Sequence, residues 1–291
     1  SGVSSASSSS SVNTEIKQSL TRQAMDDPML TMEEREAING GRWFSALSPS
    51  LRHDILRCTY VQRYRDGQQM ASRGDPPEQW IACAKGAVRV SSTSVSGRQI
   101  TLTYVEPGIW FGDVAIFDGT GRTHDAFAHG ETTIVAVTKA DFKKILATHV
   151  ELYEALLRLH ARRIRQLYGL VEDLNTLPLR ARLAKQLTHL ARSYGVPYSA
   201  DGQEMRIGLQ LAQEELAQLL GASRQRVNQE LKALEREGVL RVESAGLLIR
   251  NRDALIRVIE TEQSATTTLD FPVRAPSRKH MPSIWVRLTH G

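Results

Sequence analysis

Residues 209–242, LQLAQEELAQLLGASRQRVNQELKALEREGVLRV, hold the densest set of side chains able to read another molecule. In the second half of this stretch Val227, Leu231 and Leu234 recur at helical spacing, so they turn inward together. That register leaves Gln225, Gln229 and Lys232 on the opposite face, with Arg224 and Arg226 in the first turn and Asn228 beside them. Arginine forks onto the O6 and N7 of guanine, and glutamine onto the N6 and N7 of adenine. A helix carrying both near its amino-terminal end suits the major groove of double-stranded DNA, with the remaining cations on phosphates.

The flanking residues supply what such a helix needs to be held. Leu216, Leu219 and Leu220 give a first short helix that shares the core. Gly221 offers the left-handed residue that ends it, and Ser223 is placed to cap the second. After Gly238, VLRVESAGLLIR alternates around Ser244-Ala245-Gly246, as a two-stranded wing does. A helical hairpin in an unrelated domain is the plainer alternative. The order of helix, glycine turn, serine cap, polar second helix and wing favours DNA binding.

Upstream, residues 141–176 lack proline and read as one long helix. Tyr153, Leu157, His160, Ile164, Leu167, Val171 and Leu174 follow steps of four and three, a seam on which two copies of the helix would pair. The alternative is a helix packed on its own domain, with His160 a satisfied residue. Pro178 ends the helix, and a new one begins in support of the helix-turn-helix. Between residues 60 and 138 the period changes to two, with Gly, Pro, Asp and Ser turns, which predicts a small barrel or roll. Residues 43–58 read as an amphipathic helix broken at Pro49.

The ends are less informative. Residues 1–13 are nearly all serine, cannot build a core and contain no secretory apolar segment. A polar helix at 32–37 follows without an evident partner, and periodicity fades past residue 261. The segments expected are a disordered or polar extension (1–40), a roll (41–140), a dimerisation helix (141–176), a winged helix-turn-helix (177–262) and a tail of no assigned role (263–291), an α+β chain.

Composition narrows the classes. The chain of 291 residues, 41% hydrophobic and 24% charged, has room for about two globular domains and shows no apolar run able to span a bilayer. A net charge of +5 accords with a nucleic-acid partner. Cys58 and Cys83 stand apart from each other and from any CxxC pattern, so neither a disulfide nor a metal site is expected; free thiols in the cytoplasm are. No HExxH, GxSxG, Walker A or Cys-His arrangement is present, and no catalytic residue is assigned.

Taken together, GAVRV, GIWFGDVAIFDGTGRTHDAFA, HARRIRQL and GASRQRVNQELKALE resemble the CRP/FNR superfamily of bacterial transcription regulators over roughly residues 43–262. The resemblance implies an amino-terminal cyclic-nucleotide-binding β-roll, a long dimerisation helix and a carboxy-terminal winged helix-turn-helix. It places the family's effector cassette on Gly112, Asp113, Val114, Arg122 and Thr123. There an arginine and a hydroxyl suit a cyclic phosphate, and a carboxylate suits a ribose hydroxyl. Asp113 is one methylene shorter than the family's usual Glu, and His124 and Asp125 follow the Arg-Thr pair where Ala is typical. Leu167 and Tyr168 stand where the cyclic AMP receptor carries Thr and Ser.

Cyclic AMP, cyclic GMP and cyclic di-GMP therefore remain the candidate effectors. An internal pair of Arg122 with Asp113, Asp118 or Asp125 is the alternative to an anionic ligand. Two separated cysteines do not supply the iron-sulfur cluster of the oxygen-sensing branch. Haem would need an axial ligand among His53, His124, His129 and His160, each read instead as a surface or seam residue. What the resemblance implies is a cytoplasmic homodimer on promoter DNA with two-fold half-sites, in contact with RNA polymerase. The rival readings are an effector-independent DNA-binding regulator and a nucleotide-binding module acting through protein contacts.

Overall fold

Alternating apolar residues between 60 and 138 must cover two faces at once, and in the computed structural model they close into an antiparallel roll. The structure describes residues 29–244 and 246–268; the serine-rich start, Ala245 at the wing turn and the tail beyond residue 268 lie outside the described residues. The described part opens with α1 (Met32–Gly40), α2 (Arg42–Ser45) and α3 (Pro49–Arg57). Strands β1 (Tyr60–Tyr64), β2 (Gln69–Ala71), β3 (Gln79–Thr93), β4 (Gln99–Val105) and β5 (Trp110–Phe111) follow, then α4 (Asp113–Asp118) and β6 (Asp125–Thr138). The sheet runs β1-β6-β3-β4, with β2 paired to β6 and β5 to β3. Gly86 takes φ +75° at an irregularity of β3, and a Cβ there would overlap the Glu131 carbonyl oxygen, so only glycine lets the two strands approach.

One face of the roll packs on the helices through Trp80 and Trp110, whose ring centroids are 4.3 Å apart, with Phe44, Ile55 and Phe142 around them. Pro49 does break the first amphipathic stretch: it sits at the start of α3, where its missing N–H costs nothing, and Ser48 caps that helix.

The long helix is not continuous. Residues 139–176 form α5 (Lys139–Thr148) and α6 (Val150–Thr176), separated by His149 in extended backbone (φ −119°, ψ 95°). His149 bonds the Asp54 carboxylate of α3 through Nε2 at 2.7 Å, a tertiary contact that holds the break where no proline or glycine marks it. The buried Leu152 and Leu156 then press α6 onto the roll.

Beyond Pro178 lie α7 (Leu179–Tyr194), β7 (Gly195–Pro197), β8 (Met205–Ile207), α8 (Gln213–Leu220), α9 (Arg224–Arg236), β9 (Leu240–Glu243), β10 (Gly246–Ile249) and α10 (Arg252–Thr268). The two wing strands are extended by β8 and β7 into a four-stranded sheet, and α10 runs past the point where periodicity fades. Among the described residues no helix is long and apolar enough to cross a membrane.

The polar amino-terminal helix has a partner after all. Helix α1 starts in a capping box between Thr31 and Glu34, and it buries Ile38 in the roll core. Glu34, itself buried, accepts from Arg63 at 2.7 Å and from the Thr133 hydroxyl at 2.8 Å. Burial alone would raise its pKa; the bonds from Arg63, the Thr31 N–H and Thr133 more than offset that and hold it at about 2, against an ordinary 4.5. A depressed carboxyl stabilises the fold above its unfolded pKa and loses that contribution as pH falls through the folded value. Urea titrations of wild type and Glu34→Gln are expected to differ by about 3 kcal/mol at pH 6. The gap should shrink steadily between pH 4.5 and 2.

Candidate nucleic-acid interface and effector pocket

Helices α8 and α9 meet through Leu216, Ala217, Leu220, Val227, Leu231 and Leu234, all buried in the core of the carboxy-terminal domain. Gly221, at φ 63°, closes α8, and the Ser223 hydroxyl accepts the Arg226 N–H to cap α9. Arg224, Gln225, Arg226, Gln229 and Lys232 are exposed along one side. Asn228 is half-buried and accepts from Gln213 Nε2 at 3.2 Å, so it is shared with the helix pair. Nearby Arg180 is committed to Glu237, and Arg206 and Arg241 to Glu243. By contrast, Arg224, Arg226 and Lys232 make no ion pair among the described residues, so this face presents uncompensated positive charge.

The roll is seated directly on this unit. Ala87 and Tyr104 belong to the same buried cluster as the DNA-binding helices. Arg98 donates to the Gly221 carbonyl oxygen at 3.3 Å, the Thr101 hydroxyl to Gln218 at 3.4 Å, and His129 Nε2 lies 2.7 Å from the Gln210 carbonyl oxygen. These contacts fall on α8, the loop before it and the turn after it. None was legible in the sequence, because each joins residues more than eighty apart.

In the roll, Gly112 takes φ +92° and opens α4. Arg122 lies over it: a Cβ on Gly112 would sit 2.6 Å from Arg122 Nη1. The guanidinium donates to the Gln79 carbonyl oxygen at 3.0 Å. Burial lowers the Arg122 pKa, and the carboxylates of Asp75 and Glu78 partly offset the shift. The expected internal partners are engaged elsewhere. Asp113 bonds His160, Asp118 bonds Thr120, and Asp125 accepts the Arg73 N–H. Val114 and Thr123 are exposed, with the Thr123 hydroxyl 2.8 Å from His124 Nδ1. Arg122 is thus a half-buried cation that donates to a neutral carbonyl, beside the exposed Thr123.

Asp113 is fully buried, and its Oδ1 has no hydrogen-bond partner among the described residues. Its Oδ2 accepts from His160 Nε2 at 2.5 Å. This corrects the seam assignment of His160, which turns into the roll. The other seam residues of α6 stay uncovered within the protomer: Leu157 is 70% exposed and Leu167 58%, and Tyr153, Ile164, Val171 and Leu174 are also exposed. The histidines weighed for haem are scattered, and among the described residues no cluster of three His, Cys, Asp or Glu is arranged to hold a metal. Cys58 and Cys83 are free; burial pushes the Cys83 thiol up to about 12.

Comparison with known proteins bears on both sites. Residues 61–149 match the family model of the cyclic nucleotide-binding domain, and residues 181–258 that of the Crp-like helix-turn-helix domain. A CRP-like cAMP-activated global transcriptional regulator of Mycobacterium tuberculosis is 31% identical over 214 residues, covering 74% of this chain and 94% of the relative. A CRP-family transcriptional regulator from Thermus thermophilus superposes with TM-score 0.58 at 26% identity, over 68% of this chain and 96% of its own. FixK2 from Bradyrhizobium japonicum shares the fold at TM-score 0.60 and 21% identity, over 69% and 96%.

A Gly112→Ala substitution combines a positive φ with a clash against the Arg122 guanidinium. It should lower stability by about 1–2 kcal/mol, read as a drop in melting temperature. Arg122→Ala on the same background should recover part of the loss, since it removes the atom that clashes.

Proposed function

The chain belongs to the CRP/FNR family of DNA-binding transcription regulators, and from that membership we propose that it works as a homodimer on two-fold promoter sites under the control of a cyclic nucleotide held in the roll. It is not an enzyme. The observation that carries the DNA reading is the exposed set of Arg224, Gln225, Arg226, Gln229 and Lys232, unpaired among the described residues, on a helix capped by Ser223. We assign Arg224 to a guanine edge, Gln225 and Gln229 to neighbouring bases, and Arg226 and Lys232 to phosphates, with Ser223 and Asn228 setting the helix in place.

Dimerisation is supported by the stripe of Tyr153, Leu157, Ile164, Leu167, Val171 and Leu174, since a single protomer leaves it in water. The pairing of two protomers would bring two recognition helices to half-sites one turn of DNA apart. The effector reading rests on Arg122 without a bonded carboxylate and Asp113 with one unpartnered oxygen, both among the described residues. Arg122 is a donor suited to a cyclic phosphate, and Asp113 Oδ1, sealed from solvent in this arrangement, is an acceptor for a ribose hydroxyl once the turn shifts to admit it. Cyclic AMP, cyclic GMP and cyclic di-GMP all carry that chemistry, and the M. tuberculosis relative is described as cAMP-activated. The protein would act in the cytoplasm, with RNA polymerase as its partner at the promoter.

Two measurements test this reading. In binding isotherms on a duplex selected by the protein from random sequence, Arg224→Ala should cost about 1–3 kcal/mol and relax preference at one position per half-site. Arg226→Ala should instead weaken selected and random DNA alike and flatten the salt dependence by about one unit of slope. Equal losses for both variants on both DNAs would refute the assignment. Leu167→Glu sets two carboxylates against each other in the pairing seam, so sedimentation should show monomers. An intact dimer would move the interface to the roll.

A further inference from the structure

Two side chains of α6 reach the same short turn of the roll. His160 and Arg163 stand three residues apart and so share one side of the helix. His160 Nε2 bonds Asp113 Oδ2 at 2.5 Å, and Arg163 Nη2 donates to the Trp110 carbonyl oxygen at 2.6 Å. Both ends of the turn from Trp110 to Asp113 are therefore pinned to one stretch of α6. Arg163 is itself buried deeply enough for its pKa to fall, with the Asp113 carboxylate partly offsetting that loss. The turn carries Gly112, on which Arg122 rests.

By sequence position His160 falls between Leu157 and Ile164 of the exposed stripe, although its ring turns into the roll. A bond from His160 into the roll consequently fixes the angle at which α6 presents that stripe to another copy. We propose that His160 is a positioning residue that ties the effector carboxylate Asp113 to the dimer helix, so that occupancy of the pocket resets the presentation of the seam. This rests on the effector reading above. Asp113 has two acceptor oxygens, one taken by His160 and one buried without a partner. Oδ1 is sealed from solvent here, so a ligand hydroxyl reaches it only as the turn at Gly112 shifts; donating to Oδ1 it would draw charge from Oδ2 and loosen the grip on His160. Leu167 and Tyr168, one turn further along, are both exposed, so the polar contacts of α6 with the cassette turn are those of His160 and Arg163 among the described residues.

The test compares wild type with His160→Leu, His160→Gln and Asp113→Asn. DNA affinity is measured on a duplex selected by the wild type from random sequence, with and without cyclic AMP, cyclic GMP or cyclic di-GMP. Nucleotide binding is followed by calorimetry. If the nucleotide that binds wild type changes its DNA affinity about tenfold, His160→Leu should bind it within about threefold and yet respond by less than about twofold. His160→Gln, which keeps an amide donor, should restore part of the response; a merely structural role predicts no such split.

A wild-type response in His160→Leu overturns the proposal, as does loss of nucleotide binding itself, which would place His160 in the pocket. Should none of the three nucleotides bind wild type, the effector reading fails while the tie is still measured. In the ligand-free protein, His160→Leu and Asp113→Asn should each shift DNA affinity, and the double variant should shift it no further than either alone. Additive effects, or none, would then sink the tie as well.

Discussion

A helix of 27 residues with Leu157, Leu167 and Val171 facing water is a constraint that one protomer leaves unmet. Helix α6 is fastened on its other side by Leu152 and Leu156 and by the bond from Trp43 Nε1 to the Ala155 carbonyl oxygen, so it has little freedom to turn its apolar stripe inward. In the proposed homodimer a second copy covers that stripe. Such pairing would set the spacing of the recognition helices and the symmetry of the DNA they meet. Lys185 reaches back from α7 to Asp173 of α6 at 2.8 Å, tying the DNA-binding domain to the end of the same helix.

The polar chemistry of the roll has a similar economy. Each aspartate able to neutralise Arg122 in its own segment is occupied by a different donor, and the arginine settles on a backbone carbonyl. A guanidinium tolerates this because its fork keeps further donors free, and a neutral carbonyl satisfies geometry without cancelling charge. Among the described residues Arg122 is thereby left without a bonded carboxylate, and only the more distant Asp75 and Glu78 act on its charge. The short side chain of Asp113 belongs to the same arrangement, since its carboxylate meets a histidine that comes to it from α6.

What could be read in the chain follows from the range of the forces involved. The helix-turn-helix was legible because Gly221, Ser223 and the spacing of Val227, Leu231 and Leu234 act within a few residues of one another. Strand alternation gave the roll for the same reason. The interruption at His149 was hidden, because its cause is Asp54, ninety-five residues away, and no breaker residue announces it. Helix α1 looked unpartnered because Arg63 and Thr133 lie on two later strands. His160 fitted the heptad by spacing alone, and only the third dimension shows that its ring leaves the stripe for Asp113. Strands β7 and β8 are too short to carry a period, and they exist because β10 offers an edge.

The seating of the roll on the helix-turn-helix has a mechanical meaning. Tyr104 is held edge-on against His129, with ring centroids 5.1 Å apart, inside the core of the other domain. Lifting the DNA-binding domain away would wet that ring and Ala87, and would break the bonds of Arg98, Thr101 and His129 together. The contacts that seat the DNA-binding domain therefore act as a set, and the roll holds the helix-turn-helix in one defined orientation.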